Sequence, residues 1–184
     1  MDMFNKLLLK SIECGLNSAV PLRVETLEFL PEVREMCAQD KCKRFNRNWS
    51  CPPACGTLAG IKEKALRYRK GILVQTVAEL SGEFDWESIC GAERKHKEAF
   101  LNLAVCASQL AKDIMPMSAG ACGICLKCTY PDLPCRFPEK CFPSMEACGL
   151  FVSRVCEKNG LNYYYGNNMI SFTSCILYGQ ESTK

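Results

Sequence analysis

Spacing of apolar and polar positions divides the chain into a handful of elements. The opening "MDMFNKLLLKSIECG" has a three-leucine centre broken by Lys6 and Lys10, which predicts an amphipathic first helix. In "VPLRVETLEFL" the alternation of Val20, Leu22 and Val24 predicts a strand that Pro31 ends. Glu32 to Gly56 is irregular, Thr57 to Lys70 reads as a helix with a basic outer face, and the β-branched run from Gly71 to Leu80 suits a buried strand. After the turn chemistry of "SGEFD", Ile89, Ala92, His96, Ala99, Leu103, Ala107 and Leu110 recur every three or four residues. They mark the longest helix, ending near Met115-Pro116. Ser144 is placed to N-cap a further helix that carries Cys148, Val152, Val155 and Asn159 on one face and stops at Gly160. "NYYYGNNMISFTSCILYG" then reads as two strands around a Gly166-Asn167-Asn168 turn, the second alternating Ile170, Phe172, Ser174, Ile176 and Tyr178. The expected architecture is one domain over residues 1–184, of α/β or α+β class, with about four strands, about four helices and two irregular cysteine-rich loops.

Length and charge exclude several functions. A chain of 184 residues buries roughly 70% of its unfolded surface and needs no staples to fold. No apolar run reaches the roughly 18 residues of a membrane span, and the N-terminal stretch is too short for a secretory core, so a cytoplasmic protein without membrane insertion is expected. The net charge of +3 is small, and apart from "RYRK" and "ERKHK" the basic residues are scattered. No stripe tracks phosphates, so nucleic acid is not an expected partner. Glycine-rich phosphate loops, HExxH and GxSxG are all missing.

Cysteine changes this ordinary picture. There are fifteen, an odd number, in a chain with no sign of export, which favours metal ligation over a disulfide framework. Cys122, Cys125 and Cys128 follow the CxxCxxC spacing, and Cys135 comes later in the same loop. A [4Fe-4S] cubane wants one thiolate per iron, and a tight turn can present three while a fourth arrives from further along. Zinc also takes four thiolates but favours two separated CxxC knuckles, so it is the alternative. Cys135 lies next to Arg136 and at a spacing wider than a bacterial ferredoxin run, so ferredoxin is not the match.

The first block, "CAQDKCKRFNRNWSCPPAC", supplies Cys37, Cys42, Cys51 and Cys55 among Lys41, Lys43, Arg44 and Arg47. These cations are expected to favour thiolate, and a second cluster leads over zinc or a redox thiol pair. The CxxxCxxC pattern of radical S-adenosylmethionine enzymes is missing, since Leu58 stands where its third cysteine would fall. Cys106, Cys156 and Cys175 are expected in the core, as is His96, the only histidine. Cys148 is a candidate reactive thiol or substitute ligand, and Cys141 is expected to be a bystander.

"NWSCPP" after two cysteines, "CGICLKCTYPDLPCRFPE" and "PSMEACG" together resemble the cysteine-rich, predicted metal-binding proteins of the domain of unknown function 2284 family. The resemblance runs from about Cys37 to about Gly149 and implies metal binding, foremost iron-sulfur. It places ligands on Cys37, Cys42 and Cys51 and on Cys122, Cys125, Cys128 and Cys135, with the fourth ligand of the first block open to Cys55, Cys148 or an external molecule. The leading expectation is an iron-sulfur protein with one or two clusters that exchanges electrons with a redox partner protein. A zinc-stabilised module, or an enzyme using an open-coordinated cluster or a reactive cysteine, stands beside it.

Overall fold

The computed structural model describes residues 1–82 and 85–180. Its elements run α1 (Met3–Glu13), β1 (Ser18–Leu22), α2 (Pro31–Ala38), α3 (Leu58–Ala65), β2 (Tyr68–Glu79), α4 (Trp86–Leu110), β3 (Ile114–Met117), α5 (Val152–Lys158) and β4 (Met169–Gln180). The strands form one sheet in the order β1-β2-β4-β3, with every neighbouring pair antiparallel. This makes the protein α+β.

Both faces of the sheet are covered, and the strand sequences show why. Along β2, Ile72 and Val74 point to one face while Leu73 points to the other, and β4 repeats this with Ile176 and Tyr178 against Cys175 and Leu177. The first face receives α1 and α4 through Leu7, Phe100, Leu103 and Ala107. The second receives α3, α5 and the segment around Met145 and Leu150. Strands packed on both sides must be apolar nearly throughout, which is why the middle of β2 reads as a continuous run rather than an alternation.

Several boundaries differ from the sequence reading, each for a physical reason. Pro31 does not end a strand; it opens α2, where its missing N–H would have had no partner anyway, and the strand stops at Leu22. Cys37 therefore sits in a helix and not in an irregular stretch. Met115 to Met117 form a strand beyond the long helix, and Pro116 is tolerated there because β3 pairs only with β4. Ser144 does cap a turn, its Oγ accepting the Ala147 N–H at 3.0 Å, but Gly149 at φ +84° breaks the run and α5 begins only at Val152. Among the described residues one strand follows Gly166; Tyr163 to Tyr165 carry no ladder. The expected turn at residues 81–85 includes Glu83 and Phe84, outside the described residues, and Asp85 caps α4 through the Ser88 N–H at 3.0 Å. His96 is the core residue expected: fully buried, with Nδ1 2.8 Å from Thr76 Oγ1 and Nε2 2.7 Å from Ser174 Oγ.

Candidate metal centre

The second cysteine block is a loop tied at its neck. A bridge between Ser118 and Ser144 closes it, with the Ser118 N–H donating to Pro143 O at 2.8 Å and the Met145 N–H to Ser118 O at 2.9 Å. Gly120 follows at φ +64°, where a side chain would meet Glu93 Oε1 at 3.0 Å. Lys97 of α4 fixes the next residue, its Nζ donating to Ala121 O at 2.7 Å and to Glu93 Oε1 at 2.5 Å.

Beyond that neck the chain curls around a small cavity of about 20 Å³, and Cys122, Cys125, Cys128, Cys135 and Cys141 all line it. The CxxCxxC run and the later Cys135 thus share one lining. Cys141, left outside the expected ligand set, is a fifth thiol in the same lining. Its thiol lies beside Cys122 and donates to that sulfur, which holds Cys122 down to about 6, aided by the Ile124 N–H and the Lys97 charge against the effect of burial. The same contact, with burial, pushes Cys141 up. The two act as a pair that gives up one proton readily and the second reluctantly.

The first block joins α2 to α3 through three left-handed residues, Asp40, Lys43 and Asn46. Cys37 leaves the last turn of α2 half-buried, Cys42 is exposed on the turn, Cys51 is buried and Cys55 is half-buried before α3. The four thiols lie near enough for their charges to interact. The expectation that nearby cations favour thiolate does not hold here. Burial pushes Cys51 up to about 11 and raises Cys37 and Cys55, and the only basic residue that acts to lower them is Arg34, on Cys37 and Cys55. Arg34 is a clamp that carried no signal in the sequence: it donates to Ala147 O at 2.5 Å, Gly56 O at 2.8 Å and Cys55 Sγ at 3.5 Å.

The two blocks interlock. Asn48 donates to Cys122 O at 2.9 Å, and the Cys122 N–H donates to Ser50 Oγ at 2.8 Å. Both polar residues are buried. Trp49 donates to Leu133 O at 3.2 Å and packs edge-on against Tyr130 at 4.9 Å, while Tyr130 donates to Asn46 Oδ1 at 2.8 Å. "NWS" is therefore the seam between the cysteine loops. A larger cleft, bounded by α4, takes Cys42 from the first block and Cys122 from the second into one lining.

Metal-type cysteine spacing and thiols grouped in two interlocked loops accord with the one comparison that matches: the predicted metal-binding protein family DUF2284, over residues 21–178. The chain belongs to that family. No curated protein and no solved structure matches it closely enough to add to this. Within this DUF2284 chain, no three His, Cys, Asp or Glu side chains among the described residues converge tightly enough to hold a single metal ion. The thiols of the second block instead surround a space. A lining of five thiols with Asn48, Thr129, Arg136 and two apolar side chains, and with the Lys97 charge acting on Cys122, fits a soft metal or a thiolate-bound cluster.

The remaining cysteines fall outside both loops. Cys148, Cys156 and Cys175 are buried in the core on the second sheet face, and burial holds the Cys148 thiol well above its ordinary range. Cys106 is half-buried on α4 rather than in the core, and interacts with Cys14 at the end of α1.

Proposed function

We propose that this DUF2284 protein is a cytoplasmic iron-sulfur protein of a redox system, exchanging electrons with a partner protein. Cys122, Cys125, Cys128 and Cys135 would hold a [4Fe-4S] cluster, and Cys37, Cys42, Cys51 and Cys55 a second centre. The observation that carries the reading is the cavity lined by the whole CxxCxxC run together with Cys135. A bound cluster supplies one-electron transfer at a potential set by charge, hydrogen bonds and exposure.

The chain's own residues do the positioning. Ser50 and Asn48 hold the Cys122 backbone from both sides, and Lys97 brings positive charge to the mouth of the loop. Arg136 lines the cavity with its guanidinium tied to Lys127 O at 3.1 Å, adding a second cation against thiolate charge. Arg34 orients Cys55, which favours Cys55 over the fully buried Cys148 as the fourth thiol of the first block.

Anaerobic purification with iron and sulfide analysis, followed by electron paramagnetic resonance of the reduced protein, tests the reading. Two clusters correspond to about eight irons and eight sulfides per chain. A zinc-stabilised module is the second reading, favoured by the loop interlock, which would suit a purely structural metal. A colourless protein carrying stoichiometric zinc, with no paramagnetic signal on reduction, would establish it and sink the first.

A further inference from the structure

The cleft between α4 and the two cysteine blocks contains far more than the thiols at its edge. It offers a volume of about 680 Å³, open to solvent and within the roughly 300–1,000 Å³ of common small-molecule pockets. One stripe of α4, at Trp86, Cys90, Arg94, Lys97 and Leu101, forms its wall, while the opposite stripe of the same helix packs on the sheet. The first block contributes Arg44 and the second Ile124.

Two features of this lining point to a ligand class. Lys97 is committed to Glu93 and Ala121, but the guanidinium groups of Arg44 and Arg94 make no hydrogen bond or ion pair among the described residues. Guanidinium groups left unpaired in a concavity suit the bidentate capture of carboxylate or phosphate. Glu93 and Glu98 oppose three cations, so the lining stays net positive. Beside the arginines, Trp86 is 72% exposed and Ile124 is 40% exposed, giving apolar surface where a surface helix and loop would ordinarily be polar.

We infer that this cleft binds a small organic anion, its acidic group held by Arg44 and Arg94 and its apolar body lying against Trp86, Leu101 and Ile124. A molecule so held lies beside Cys42 and Cys122, one thiol from each block. The inference rests on the proposed function only for what lies next to the ligand; the recognition chemistry holds whichever metal fills the blocks.

Isothermal titration calorimetry of the anaerobically purified, metal-loaded protein tests it with benzoate, benzamide and inorganic phosphate. Benzoate is expected to bind saturably and benzamide not at all. Replacing both arginines (R44A with R94A) is expected to weaken benzoate by about tenfold or more at unchanged metal content, with partial recovery in the double lysine variant. Trp86→Ala is expected to weaken benzoate while sparing any phosphate response. No saturable benzoate heat, or equal affinity in the double alanine variant, overturns the inference. Phosphate binding as tightly as benzoate with no effect of Trp86→Ala also overturns it, since the site would then read charge alone. Should the purified protein carry zinc and still bind benzoate through the arginines, the iron-sulfur reading falls and this one stands.

Discussion

Burying an imidazole between two hydroxyls settles its charge. His96 has Thr76 on one nitrogen and Ser174 on the other, and burial, with Lys97 adding to it, lowers its pKa to about 4. In the unfolded chain it titrates near 6.5, so the unfolded state binds the extra proton between those values and stability falls as pH drops from about 6.5 to 4. The contribution is on the order of 3 kcal/mol, fully present above pH 6.5. Urea unfolding of the parent and His96→Gln at pH 7.5 and pH 4.5 should show the parent losing most of that amount relative to the variant. Ser50 poses a different residue-scale test. It accepts the Cys122 N–H and donates to Asn48 Oδ1 at 3.0 Å, so Ser50→Ala strands a half-buried donor and should cost about 1–3 kcal/mol, visible as a lower urea midpoint. Cysteine substitutions separate the ligands from their neighbour: Cys125→Ser should remove the metal of the second block, while Cys141→Ser should keep most of it, measured as iron per chain. The gathering of Cys122, Cys125 and Cys128 on one cavity was legible because CxxCxxC is a local pattern. The place of Cys141 was not, since its approach to Cys122 depends on the neck at Ser118 and Ser144, a contact across the whole loop.

At the scale of elements, the long helix and β2 were legible because their patterns are long and periodic. The shorter pieces were decided by neighbours. Pro31 is equally at home after a strand or at the first position of a helix, and the Leu30 N–H bond to Gly149 O at 2.8 Å helps select the second. β3 has four residues and a proline, and exists because β4 offers it an edge. The break at Gly149 is the element-scale feature most exposed to mutation. An alanine there would take up φ +84° and bring its Cβ against Leu58 Cδ1 and within 3.3 Å of Leu30 O. Gly149→Ala should destabilise by about 2–4 kcal/mol, read from thermal or urea unfolding, while Gly166→Ala, with open space around it, should cost only its backbone strain of about 1–2 kcal/mol.

Across the whole molecule, the sheet acts as the platform that holds α4 against one cysteine loop and α2 and α3 around the other. No helix among the described residues is long and apolar enough to cross a membrane. That the loops meet was not legible, because the motif formed by Asn48, Trp49 and Ser50 does not say which residues it pairs with, and its partners lie 72 to 84 residues away. This seam makes the two blocks thermodynamic partners. Ordering one loop around its metal holds backbone that the other must also order, so each filled block should raise the other's metal affinity by the same factor. Replacing Cys37 and Cys42 should weaken uptake by the second block, and replacing Cys125 and Cys128 should weaken the first equally, both followed by competitive metal titration. On the proposed two-centre reading, a protein wired in this way would mature in a single cooperative step, with the half-loaded form a minor species during assembly.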